Sequence, residues 1–186
     1  MDVGMNGMRC KAVRTAWNNF PDVVIHATET SVKQHLAYAA AKSGDSDAAF
    51  TLVLDTVSEH AVQELLALSA GRLPLLASAH ALERTGVNAI PEALADELAR
   101  RTSFPVDNSI VQVNVVGHTG ANGFVRLARQ ALFDGEVIKG ADYLLVDDFI
   151  GQGGTLANLK GFIESSGGRV IGAGQSHLGQ RSQSQQ

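Results

Sequence analysis

The sequence predicts an α/β protein in which a parallel sheet is flanked by helices and preceded by a helical N-terminal region. Three observations carry this reading. From residue 73 onward, short leucine-rich or β-branched runs alternate with helical patterns, the order that builds a parallel sheet covered on both faces. Before residue 70, several helical patterns open on capping residues and close on glycine. Hydrophobic residues make up 45% of the 186 and charged residues 18%, the composition of a chain that buries a core.

Taken in order, residues 22–26 (Asp-Val-Val-Ile-His) form a short β-rich run. Residues 31–41 read as a helix capped by Ser31, and Gly44 breaks it. Residues 45–57 and 58–70 are two further helices, the second opening Ser58-Glu-His-Ala and stopped by Gly71. Residues 73–78 read as a strand. Pro91 sits where a helix begins, with Ile90, Leu94 and Leu98 at helical spacing. Residues 110–116 are a β-branched strand. Phe124, Leu127, Ala128, Ala131 and Leu132 make one helical face, with Arg126, Arg129 and Gln130 opposite. Residues 143–146 are a strand, followed by a helix from about Gly154 to Ser165, a Gly167-Gly168 stop and a last strand over 169–173. This divides the chain into a mainly helical region 1–70 (a candidate cap), an α/β core 71–173 and a polar tail 174–186 expected to be disordered.

Composition excludes several classes. A net charge of −4 and a pI near 5.8 argue against a general nucleic-acid or membrane-surface binder. The single cysteine, Cys10, cannot form an internal disulfide and fits a reducing compartment. The opening MDVGMNGMRCK lacks the apolar core of a signal peptide, and no apolar run approaches the roughly 20 residues of a membrane span. A cytoplasmic protein without nucleic-acid or membrane partners is therefore expected. His26, His35, His60, His80, His118 and His177 show no metal-ligand spacing, and Ser78 and Ser109 lack a GxSxG context.

The chemistry concentrates in YLLVDDFIGQGGTL, residues 143–156. In an open α/β sheet, ligands bind at the carboxyl ends of the strands, where Asp147 and Asp148 fall. The turn that follows is rich in glycine, so its backbone N–H groups can approach an anion, and the next helix adds the donors and partial positive charge of its N-terminus. Thr155 adds a hydroxyl. Two carboxylates beside an anion cup suit a ligand with both parts: phosphate in the turn, sugar hydroxyls on Asp147 and Asp148.

This stretch resembles the phosphoribosyl pyrophosphate (PRPP) motif of the type I phosphoribosyltransferases. Asp147, Asp148, Gly153, Gly154 and Thr155 match that motif residue by residue. Gln152 stands where the family usually has threonine, and Gly151 where threonine or alanine is frequent, so an amide replaces one hydroxyl donor. The resemblance implies a type I phosphoribosyltransferase-like fold over roughly half the chain. It implies a 5′-phosphate held by Ile150, Gly151, Gln152, Gly153, Gly154 and Thr155, with Asp147 and Asp148 as the catalytic pair on the ribose hydroxyls. Mg²⁺ is the implied cofactor, carried by PRPP, with Asp147 the candidate for any direct contact. The implied reaction is phosphoribosyl transfer to a nitrogen nucleophile, a nucleobase in most members, with release of pyrophosphate; the acceptor itself is not specified.

A second anion site is implied in residues 78–88, where His80, Arg84 and Asn88 are candidates. A closing lid is implied over residues 117–126, with His118, Thr119, Asn122 and Arg126 as candidates and Gly117, Gly120 and Gly123 giving freedom to move. A homodimer is the assembly common among proteins of this resemblance. A non-catalytic module that binds PRPP or a nucleotide on the same fold stays open as the alternative, because a fold can keep its site and lose its chemistry. Gln152, the lack of a compact glycine-rich turn in 78–88 and the short C-terminal region favour that alternative; the intact Asp147–Asp148 pair favours the enzyme.

Overall fold

A computed structural model describes residues 14–15, 23–79, 82–83, 86–114, 130–149 and 154–177. Four strands form one parallel sheet in the order β1-β8-β7-β2: β1 (Val23–Thr28), β2 (Leu75–Ser78), β7 (Asp142–Phe149) and β8 (Arg169–His177). The helices are α1 (Glu29–Lys33), α2 (Tyr38–Lys42), α3 (Ser46–Thr56), α4 (Glu59–Ser69), α5 (Ile90–Thr102) and α6 (Gly154–Ser165). Two small antiparallel pairs complete the described elements: β3 (Leu82–Glu83) with β4 (Gly86–Val87), and β5 (Val111–Gln112) with β6 (Phe133–Asp134).

The parallel sheet flanked by helices is the expected fold class, and β7 shows why the sequence betrays it. A strand covered on both faces reads as a continuous apolar run. Leu144 and Val146 pack with Leu76 into a buried cluster that includes Leu52, Val53, Leu65, Leu94 and Leu98 from α3, α4 and α5. The alternate residues Tyr143 and Leu145 pack on the other face with Leu156, Leu159 and Ile163 of α6. Residues 23–69, read from the sequence as a helical region and candidate cap, thus supply β1 to the sheet and pack α3 and α4 into the same core.

Local chemistry explains several helix starts. Asp45 accepts from the Ala48 amide at 2.9 Å and caps α3; Ser58 accepts from Ala61 at 3.2 Å and caps α4. Pro91 sits in the first turn of α5, where its missing N–H is harmless.

Four expectations are corrected. The helix expected over 31–41 is two helices, and Thr28 rather than Ser31 caps the first, its Oγ1 accepting from the Ser31 amide at 3.1 Å. The break has a visible cause: His35 Nδ1 takes the Ala37 amide at 3.2 Å, the donor a continuous helix would give to the carbonyl of Lys33. The strand expected over 110–116 is short and antiparallel, lying outside the main sheet; after Val113, Asn114 bonds the 130–132 backbone with its side chain instead of continuing the ladder. Ala131 and Leu132 are not helical, and the rest of that expected helix lies outside the described residues. The last strand does not stop at Ala173 but runs to His177, because β1 supplies partners for Gly174 through His177; residues 178–186 lie outside the described set.

Candidate functional site

The carboxyl end of β7 is flanked on both sides. On one side β2 keeps register to Ser78↔Val146, and the Ala79 amide donates to the Val146 carbonyl at 3.0 Å. On the other, Val146 pairs with Gly174 and Phe149 with Ser176, so β7 advances three residues while β8 advances two. The extra residue is a β-bulge at Asp147–Asp148, opposite Gln175. Bulges re-aim side chains and interrupt pairing, and they cluster beside functional sites. The backbone donor freed here is satisfied locally, since the Asp148 amide bonds Asp147 Oδ1 at 2.9 Å.

Both carboxylates are buried, Asp147 at 9% exposure and Asp148 at 7%. Charged side chains are seldom so buried unless paired. Asp148 is paired: Lys42 Nζ from the end of α2 and Asn88 Nδ2 each reach its Oδ2 at 2.9 Å. Asn88 is itself buried and uses its Oδ1 to accept the Ile90 amide at 3.2 Å, at the start of α5. At the next residue, the Ala89 amide bonds the Ala41 carbonyl at 3.1 Å, fixing the end of α2 beside Asn88. The bulged strand, α2 and the α5 entry therefore converge on one oxygen atom.

Asp147 is in a different environment. Burial pushes its carboxyl well above the usual carboxylate range, and the neighbouring charge of Asp148 and their hydrogen bond push the same way. The Asp148 amide and the Lys42 ammonium pull in the other direction more weakly. The two aspartates are thus made unequal: Asp148 carries the ion pair, while burial and its charged neighbour hold the Asp147 carboxyl above the usual range.

Of the residues named from the sequence, the structure brings Asp147, Asp148, Gly154 and Thr155 to the end of β7 and the start of α6, with Gly154 and Thr155 half-buried. Ile150, Gly151, Gln152 and Gly153 lie outside the described residues, as do His80, Arg84, His118, Thr119, Asn122 and Arg126. Asn88, a candidate for a pyrophosphate loop, is instead committed to Asp148 and α5. Lys42 was missed: nothing in its local sequence marks it, and its partner lies 106 residues away. Among the described residues no group of three or more His, Cys, Asp or Glu side chains is placed to hold a metal ion. The aspartate pair itself does not fit direct Mg²⁺ ligation, because an ammonium already sits on Asp148 and burial opposes ionisation of Asp147.

No protein-family model matches the chain. It is 40% identical over 163 residues to "Protein TraN" of Escherichia coli, a similarity spanning 88% of this chain and 36% of that protein. It is 40% identical over 152 residues to an uncharacterized protein of Haemophilus influenzae, spanning 81% of this chain and 34% of that one. The chain thus spans about a third of the length of the curated relatives it matches. Among solved structures it is similar to adenine phosphoribosyltransferase from Thermoanaerobacter pseudethanolicus, with a TM-score of 0.41 and 20% identity over 67% of this chain and 71% of that one. It is also similar to the allosteric regulatory enzyme of purine biosynthesis, with a TM-score of 0.35 and 18% identity over 60% and 24% of the two chains. Similarities this remote do not bear on the site residues.

Proposed function

We propose that the chain binds a ribose 5-phosphate ester, PRPP, and transfers its phosphoribosyl group to a nitrogen nucleophile with release of pyrophosphate. The observation that carries this reading is the bulged Asp147–Asp148 pair at the carboxyl end of a central parallel strand, with Asp148 six residues ahead of Gly154, the first residue of α6. In this reading the 150–155 turn and the first amides of α6 take the 5′-phosphate. Asp148, oriented by Lys42 and Asn88, accepts from a ribose hydroxyl, and Asp147 donates to or accepts from its neighbour. The acceptor nitrogen forms the bond to C1 with its lone pair, the C1–oxygen bond breaks, and pyrophosphate leaves with that electron pair; the nitrogen then loses its proton. Charge that builds on the sugar is stabilised by the fixed carboxylate of Asp148, so positioning and electrostatics supply the catalysis. Mg²⁺ would enter with the pyrophosphate of the ligand rather than on these side chains and would supply charge neutralisation to the leaving group. His80, Arg84, His118 and Arg126 are the candidate contacts to that group and to a lid.

A second reading, a sensor that binds without turnover, is favoured by one feature. Leu82–Glu83 and Gly86–Val87 pair as the antiparallel strands β3 and β4, in the segment where a compact glycine-rich turn would cradle pyrophosphate. Calorimetric titration of PRPP with Mg²⁺, beside ribose 5-phosphate, separates the readings. Saturable PRPP binding, weakened about tenfold or more in Asp148→Asn without a matching loss of thermal stability, supports the site. Pyrophosphate release on adding nucleobases then supports the enzyme. PRPP binding with no pyrophosphate release for any base supports the sensor, and binding of neither PRPP nor ribose 5-phosphate refutes both.

A further inference from the structure

We infer that Lys42 is the resident counter-cation of the aspartate pair, fixing Asp148 to receive a sugar diol with no divalent metal ion at that point. The inference rests on the ribose-phosphate reading above and specifies how its sugar subsite works.

The ammonium is a built feature. Its side chain is 24% exposed and reaches the buried carboxylate of Asp148 across 106 residues of chain. The end of α2 that presents it is fastened: the Ala89 amide holds the Ala41 carbonyl, and Gly44, at φ +101°, lets the chain pass so close to Val87 that a Cβ there would lie 3.0 Å from its carbonyl oxygen. Asn88, on the segment so gripped, is the second donor to the same Oδ2. Two donors on one oxygen hold that oxygen in place before any ligand arrives, which is the preorganisation that binding and catalysis reward.

A metal ion would otherwise offset the charge of two adjacent carboxylates beside a phosphate. Here an ammonium already occupies the space next to Asp148, and a dication at the same oxygen would sit against a like charge. A sugar hydroxyl meets no such conflict. It donates to a carboxylate whose charge is balanced by Lys42. The ligand class implied at this point is therefore a neutral vicinal diol, the sugar part of the ligand proposed above.

The test is calorimetric titration of ribose 5-phosphate into the full chain, in chelator and in Mg²⁺, for wild type, Lys42→Met and Lys42→Arg, with inorganic phosphate as a second titrant and a thermal melt of each protein. The wild type is expected to bind ribose 5-phosphate equally in chelator and in Mg²⁺. Lys42→Met is expected to lose about tenfold or more in chelator, to recover part of that in Mg²⁺, and to keep its response to inorganic phosphate; Lys42→Arg should restore most of the affinity. Undiminished binding by Lys42→Met in chelator overturns the inference. Wild-type binding of ribose 5-phosphate that itself needs Mg²⁺ overturns it too, while leaving the proposed function standing. No binding of ribose 5-phosphate or PRPP by the wild type overturns the proposed function and this inference together.

Discussion

Asn88 is the residue whose loss tests the geometry most directly. Its side chain is buried and makes two bonds at once, donating to Asp148 and accepting from the Ile90 amide. Asn88→Ala removes a hydrogen bond to a charged group, worth about 1.5–3 kcal/mol, and strands a buried backbone donor, at about 1–3 kcal/mol. Taking the lower half of each range gives a destabilisation of about 3 kcal/mol, which for a chain of this size lowers Tm by about 6–12 °C. Thermal unfolding followed by circular dichroism reads this out. Asn88→Asp sharpens the test, because it keeps the acceptor for Ile90 but places a second carboxylate against Asp148. It should be less stable than Asn88→Ala at pH 7 and should recover as pH falls, since the added carboxyl then protonates and can donate to Asp148. A Tm for Asn88→Ala within about 2 °C of wild type would refute the reasoning that this amide holds the site together.

Other perturbations follow from the same structure. Asp147 has its carboxyl raised by burial, so it contributes stability below the unfolded carboxylate value of about 3.9, and that contribution is lost as pH rises through its folded value. Asp147→Asn should therefore be more stable than wild type at pH 7, with the difference vanishing near pH 4 in parallel melts, and should bind the sugar phosphate more weakly; equal stability at pH 7 contradicts the assignment. Tyr143→Phe strands the Ile138 amide and Asp107 Oδ2, which bond the buried hydroxyl at 3.0 and 3.1 Å, and should cost about 1–3 kcal/mol in denaturant titration. Gly172→Ala would put a Cβ 2.3 Å from Leu68 Cδ2 and 2.7 Å from Leu144 Cδ2, an overpacking expected to cost about 1–3 kcal/mol; an unchanged denaturation midpoint would show that the sheet face is looser than drawn. Gly135→Ala should be harsher than Gly172→Ala, because at φ +131° its Cβ would lie 2.1 Å from the Ser109 carbonyl oxygen, a backbone atom that cannot rotate away.

The sequence by itself determined whatever depends on short-range physics. The helix starts near Asp45 and Ser58, the start at Pro91 and the helix from Gly154 to Ser165 are set by interactions within a turn or two of chain, and all stand near where the sequence places them. The apolar run before Asp147 gave β7, and with it the end of the strand on which the site stands. Tertiary structure alone decided the rest. The helix over 31–41 breaks because His35, held by Asp55 of α3 at 3.1 Å, takes an amide the helix needed. The last strand runs on to His177 because β1, some 150 residues earlier in the chain, supplies partners for it. The bulge that turns Asp147 and Asp148 out of register exists only in the pairing of β7 with β8. Lys42 carries no local sign of its role, because an ion pair between residues 106 apart is created by packing, and so is the burial that makes one aspartate unlike the other. Local periodicity can mark where a strand ends; which charges meet there, and in which protonation state, depends on how distant segments close around it.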